Sequence, residues 1–142
     1  MPRVFAQQHY RQNAETVWQR IQDFSDLSWL PGVTGCNVTG HGVGAIRTVS
    51  TKDGGTVKEE LVSFDTAQRM FGYRILQAPG VREETDYQAT VAVVATDIGC
   101  KVIWQASFNG GSAPPDKVET ARQGAEQMYQ YCLSHLATLL DQ

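Results

Sequence analysis

Arg47 and the neighbouring carboxylates Glu59 and Glu60 are the residues of this chain best placed to do chemistry. Arg47 lies in "AIRTVST", the carboxylates lie in "TVKEELVSF", and "KDGG" joins the two runs. Both runs read as strands, and Gly54 and Gly55 can supply the positive φ of a hairpin turn. If Arg47 and one carboxylate share a face, the long guanidinium side chain reaches the carboxylate across the hairpin. Out of water, such a pair can shuttle a proton or hold a polar group of a ligand. A structural pair at the floor of a cavity is the plainer reading. Hairpin geometry sets a condition. Arg47 and Glu59 can face the same way only if the turn between them holds an odd number of residues. A three-residue loop over Asp53 places them directly opposite, and one centred on Gly54 places them diagonally. Alternation does not choose the face, because Val57, Glu59, Leu61 and Ser63 oppose Lys58, Glu60, Val62 and Phe64, and both sets are mixed.

Other residues fall into place more readily. In "CKVIWQASF", Val102, Trp104, Ala106 and Phe108 form the inward set and leave Lys101 and Gln105 outside. In "TDYQATVAVVAT" the inward set is Tyr87, Ala89, Val91 and Val93, and in "RMFGYRIL" it is Tyr73 and Ile75, opposite Arg74. Tyr73, Tyr87 and Trp104 join an aromatic face to a polar tip, so they can pack a core or stack on an aromatic ligand and hydrogen-bond it.

Three kinds of element must position these strands. Val4 to Tyr10 reads as a first strand. Asn13 is a suitable helix N-cap, with Glu15 near the positive end of the dipole, and Val17, Trp18, Ile21 and Phe24 form one apolar face. Ser25 can cap a second short helix through Trp29, which Pro31-Gly32 ends. This joint plugs one end of the sheet, with Trp29 as either lid or packing. The chain closes on a long helix. Its apolar stripe is Val118, Ala121, Ala125, Met128, Cys132, Leu136 and Leu139, and Pro115 suits its first turn. That stripe puts Met128 and Cys132 near a ligand space. Gly124, unfavourable inside a helix by about 1 kcal/mol, either leaves room at a cavity or permits close helix–sheet contact.

The order of elements predicts an α+β fold in one domain, residues 1–142: a curled antiparallel sheet against one long amphipathic helix, with an internal cavity between them. Composition narrows the rest. A net charge of −3 with scattered basic residues offers no stripe for nucleic acid. Cys36, Cys100 and Cys132 form no CxxC pair, and His9, His41 and His135 are far apart, so reduced thiols, no metal and no cofactor are expected. No run is long enough to span a bilayer and the N-terminus lacks a secretory pattern, so no membrane partner and a cytoplasmic location are expected. "GHGVG" precedes a strand, not a helix, which makes it a turn and not a nucleotide loop. Cys132 has no evident base and reads as a buried thiol, and His41 as an exposed loop residue.

The stretches "NAETVWQRIQDFSDLSWLPGV", "GHGVGAIRTVS", "KEELVSFD", "FGYRIL", "DYQATVAV" and "CKVIWQASF", in that order, resemble the START-like, Bet v 1-like superfamily. The likeness is to its polyketide cyclase/dehydrase-like branch, to which plant abscisic-acid receptors and lachrymatory-factor synthases are related, and it covers nearly the whole chain. The resemblance implies a helix-grip fold with seven strands around the C-terminal helix. It turns Arg47, Val49, Thr51 and Glu59 into the cavity and Glu60 outward. It also implies that only some members are enzymes. Hormone-receptor relatives grip a ligand acid with a Lys near the Pro-Gly stop. This chain has no Lys from Val4 to Thr51, which leaves Arg47 as the candidate for an anionic ligand.

The expected function is binding of a small apolar or aromatic molecule, polyketide-, phenolic- or lipid-like, with no cofactor. Arg47 and Glu59 form the polar end of its site, and Val49, Tyr73, Ile75, Tyr87, Ala89, Trp104, Phe108, Gly124, Met128 and Cys132 the walls. A second reading is a cyclase, dehydrase or isomerase with Glu59 as acid/base and Arg47 stabilising negative charge. A third is a ligand-dependent protein-interaction module that uses the mouth loops. The sequence leaves a homodimer open.

Overall fold

The computed structural model describes residues 1–82 and 85–142. Seven strands form a single antiparallel sheet: β1 (Arg3–Tyr10), β2 (Val33–Thr39), β3 (Ile46–Thr51), β4 (Thr56–Asp65), β5 (Met70–Gln77), β6 (Gln88–Thr96) and β7 (Gly99–Ser107). Their order across the sheet is β1-β7-β6-β5-β4-β3-β2, so the five hairpins from β2 to β7 run in sequence and β1 closes onto β7. Helix α1 (Ala14–Ile21) follows β1, and α2 (Pro115–Leu140) lies along β1 across the curled sheet. β2, "VTGCNVT", carries no clear alternation and was not apparent from its residues; its intermediate burial at an edge explains why.

Local chemistry accounts for the helix ends. Asn13 Oδ1 accepts from the Thr16 N–H at 2.8 Å, which satisfies one orphan donor of α1. Pro114 and Pro115 open α2, where the missing N–H costs nothing. Ala14, Val17, Trp18 and Ile21 then bury the inner face of α1.

The second short helix expected from Ser25 to Trp29 does not form. α1 ends at Ile21 with Gln22 as its C-cap, and two successive turns follow, the first holding Phe24, closed by Asp26 N–H to the Asp23 carbonyl (3.0 Å) and Leu30 N–H to the Leu27 carbonyl (2.9 Å). Asp23 Oδ1 accepts from both the N–H and the hydroxyl of Ser25, and Asp26 Oδ1 does the same for Ser28. These aspartates capture the N–H groups that a continuous helix would need. The segment still plugs the sheet end, with Leu27 and Trp29 buried, and Gly32 at φ 86° turns it into β2.

β4 explains its own mixed alternation. Leu61 is opposite Tyr73 and Phe64 is opposite Phe71, so residues three apart share a face across a bulge at Val62. Phe64 consequently turns toward Trp18, with ring centroids 5.5 Å apart. "GHGVG" is a turn, with Gly40, Gly42 and Gly44 all at positive φ. Among the described residues, no helix is long and apolar enough to cross a membrane.

Candidate functional site

The β3–β4 hairpin sets the polar end of the site. Thr51 N–H donates to the Gly55 carbonyl, so three residues centred on Asp53 make the loop and Arg47 falls directly opposite Glu59. Asp53 Oδ1 accepts from the Thr51 hydroxyl and from the Gly55 N–H (2.9 Å), which fixes that loop and with it the register. Arg47 Nε donates to Glu59 Oε1 at 2.8 Å, and Nη2 makes an ion-pair contact with the same oxygen at 2.7 Å. Arg47 Nη1 donates to the Phe24 carbonyl at 3.1 Å, an acceptor left free because α1 stopped short. The guanidinium carbon is 4.1 Å from the Phe24 ring centroid and 5.3 Å from that of Tyr73. The pair is buried, with side-chain exposures of 4% for Arg47 and 13% for Glu59.

A second polar group adjoins it. Trp104 Nε1 donates to the Tyr73 hydroxyl at 3.1 Å, and the hydroxyls of Tyr87 and Tyr129 bond each other. Trp104 stacks on Tyr129 at 4.0 Å and 8°, and Tyr87 stacks on Phe108 at 5.9 Å and 16°. Burial raises the Tyr73, Tyr87 and Tyr129 hydroxyls above the ordinary phenol value, and the nearby Glu59 charge adds to this at Tyr73 and Tyr87. The three phenols therefore stay protonated and neutral. Burial likewise pushes the Cys132 thiol up to about 11, which holds it unreactive near neutral pH.

Between sheet and helix lies a cavity of about 810 Å³, bordered at its deep end by Arg47, Glu59, Tyr73, Tyr87, Trp104 and Tyr129. Val49, Ile75, Phe108 and Cys132 also line it. Met128 does so only at the rim, where it is 55% exposed. Two expected wall residues are not there. Ala89 is buried between Tyr73 on β5 and Ala106 on β7, and its single methyl does not reach the cavity. Gly124 is exposed, and the position of a Cβ there is open space, so it neither makes room at the cavity nor allows close packing.

The outward position of Gly124 and the rim position of Met128 have one cause. The buried stripe of α2 runs through Tyr129, Cys132, Leu133 and Leu136. At about 100° per residue, Tyr129 lies about 20° from Leu136, Met128 about 80° and Gly124 about 120°. Centring the stripe on large side chains, and not only on aliphatic ones, would have found Tyr129. Of the two roles open to Trp29, lid or packing, the structure shows a packed wall: it lines the cavity at 2% exposure, 5.9 Å from the Trp104 ring. Its indole N–H is buried without a hydrogen-bond partner among the described residues. Leu27, Leu30, Val33 and Phe71 were also missed as cavity residues. Lys52 and Lys117 border the mouth and are exposed.

Known proteins share this architecture. An uncharacterised protein from Bacillus thuringiensis superposes with a TM-score of 0.85 at 24% identity, covering 99% of both chains. The protein XoxI from Bacillus cereus gives a TM-score of 0.82 at 24% identity over 98% of this chain and 95% of its own. Ara h 8.0201 gives 0.75 at 19% identity over 96% of this chain and 95% of its own, which places the fold as Bet v 1-like. No curated protein sequence matches the chain. The family model described as "Polyketide cyclase / dehydrase and lipid transport" matches residues 1–141, and the chain therefore belongs to that family.

Proposed function

We propose that this protein binds a small hydrophobic or aromatic molecule in the cavity between its sheet and α2, with no cofactor taking part. The observation that carries this reading is a cavity of about 810 Å³ with apolar and aromatic walls and one buried polar end. That size suits a ligand of drug-like dimensions, and a few polar groups in an apolar pocket are what orient such a ligand. Exposed apolar rim residues such as Met128 offer an entry path, as does the turn around Pro79.

Thermal-shift screening against phenolics, polyketide-like aromatics and fatty acids tests the reading. A ligand at about a hundred times its Kd stabilises the fold by about 2.7 kcal/mol. Failure of every apolar class to shift Tm would overturn it. Mass spectrometry of the natively purified protein identifies whatever molecule it carries.

One arrangement favours a second reading, a cofactor-independent cyclase, dehydrase or isomerase. Glu59 Oε1 is engaged by Arg47, while no described residue donates to Oε2, so a carboxylate oxygen is free beside a guanidinium in an apolar site. Here Glu59 exchanges the proton and Arg47 offsets developing negative charge. Glu59→Gln separates the two readings. Loss of turnover with ligand affinity retained supports an enzyme, and a change in affinity alone supports a binding protein.

A further inference from the structure

The polar end of the cavity has the wrong electrostatics for an anion. A guanidinium has five N–H donors. In Arg47, Nε and Nη2 are turned to Glu59 Oε1 and Nη1 to the Phe24 carbonyl, with aromatic rings on Phe24 and Tyr73 against the cation. Its charge is therefore compensated before any ligand arrives. At least two of the five N–H groups have no acceptor among the described residues, but the cation's charge is already matched, and beside it stands an acceptor that is not satisfied. Glu59 Oε2 takes no hydrogen bond from a described residue, and it is not among the sealed-off polar atoms, so its lone pairs open onto the cavity that Glu59 lines. A ligand carboxylate brought here would lose its water beside a second carboxylate, with no uncompensated cation among the described residues at this buried end to replace it. The lysines bordering the cavity, Lys52 and Lys117, are exposed at the mouth. A hydroxyl, by contrast, would satisfy Oε2 with a charge-assisted hydrogen bond. The neighbouring walls are aromatic, with Trp104 stacked on Tyr129 and Tyr87 on Phe108.

Building on the cavity-binding reading, we propose that this site selects neutral phenols or enols against carboxylates, the ligand hydroxyl entering first and donating to Glu59 Oε2. Arg47 then has the role of a positioning residue: it holds Oε1 so that Oε2 faces the cavity. This replaces the expectation that Arg47 anchors an anionic ligand.

Three probes of one shape test the proposal by calorimetry at neutral pH: 2-naphthol, 2-naphthoate and 2-methoxynaphthalene. The naphthol is expected to bind at least about tenfold tighter than either of the others, because only it donates to a charged acceptor. In Glu59→Gln, Arg47 keeps its charge but loses its compensating partner, so the preference is expected to invert toward the naphthoate. Glu59→Asp, which keeps the charge and draws the oxygen back, is expected to weaken the naphthol without admitting the naphthoate, and it serves if Glu59→Gln does not fold. If the ether or the naphthoate binds the native protein as tightly as the naphthol, the selectivity is overturned while the cavity reading stands. An unchanged ranking in a folded Glu59→Gln protein overturns the assignment to Oε2. If none of the three probes binds, the proposal fails, while the cavity reading falls only if the wider thermal-shift screen also finds no apolar ligand.

Discussion

β4 carries two adjacent glutamates, each opposite an arginine on a neighbouring strand, and the two pairs lead different lives. Glu59 pairs inward with Arg47 of β3 and Glu60 pairs outward with Arg74 of β5. Each has an arginine Nε 2.8 Å from a carboxylate Oε1. The bond geometry is the same and the surroundings are not. Arg74 and Glu60 have side-chain exposures of 47% and 24%, so water and salt screen them and their net contribution is about 0–1 kcal/mol. Arg47 and Glu59, at 4% and 13%, have given up their water and depend on each other, on the Phe24 carbonyl and on two rings. A contact distance thus says little about the worth of an ion pair. Its solvent does.

The largest effect should come from breaking the inner pair on one side. Glu59→Ala leaves the Arg47 cation buried and uncompensated, and is expected to cost about 3–5 kcal/mol in denaturant unfolding. The double change Arg47→Leu with Glu59→Leu should recover most of that loss while abolishing the polar end of the site. If Glu59→Ala costs no more than a change on the outer face, the contrast drawn between the faces collapses.

The tyrosines beside the inner pair give the next effect. Tyr129→Phe removes one hydroxyl of the Tyr87–Tyr129 bond and leaves Tyr87 without that partner. A loss of about 1–3 kcal/mol is expected, read as a lower Tm, with the Trp104 stacking surface retained.

Alkaline pH probes the same region without mutation. Burial raises the Cys132 thiol from 9.0 to about 11 and moves Tyr73, Tyr87 and Tyr129 upward as well. A group whose folded value is raised stabilises the fold fully below its unfolded value. That stabilisation is lost as pH rises through the folded value. For Cys132 the loss falls between pH 9 and about 11, with the tyrosines following at higher pH. Native protein should therefore develop part of its tyrosinate absorbance only as it unfolds, and Cys132→Ala should flatten the first stage of the decline. A tyrosinate signal that is complete while the fold persists would contradict the burial of these phenols.

The smallest effect belongs to the outer face. Glu60→Ala is expected to cost less than about 1 kcal/mol, and less still in high salt, with ligand selectivity unchanged.

Much of this was determined by the sequence alone. Period-two alternation in β5, in β7 and in the run leading from Tyr87 into β6 put Tyr73, Tyr87 and Trp104 on one face, because a side chain in a strand can point only one of two ways. Asn13 and Pro115 announced the starts of both helices through local hydrogen bonding. The Asp53-centred loop was one of two turns compatible with Arg47 facing Glu59. Tertiary structure decided what local rules leave degenerate. The choice of Asp23 and Asp26 to bond their own turns, and so to deny a second helix, freed the Phe24 carbonyl for an arginine 23 residues away. The bulge at Val62 reversed the faces of β4 midway, which no alternation count shows. The rotation of α2 about its axis put Tyr129, not Met128, beneath Trp104, because the sheet opposite determines which side of a broad apolar stripe is covered. Above all, Arg47 engages Glu59 through Oε1 and leaves Oε2 without a donor among the described residues, and that is a matter of packing.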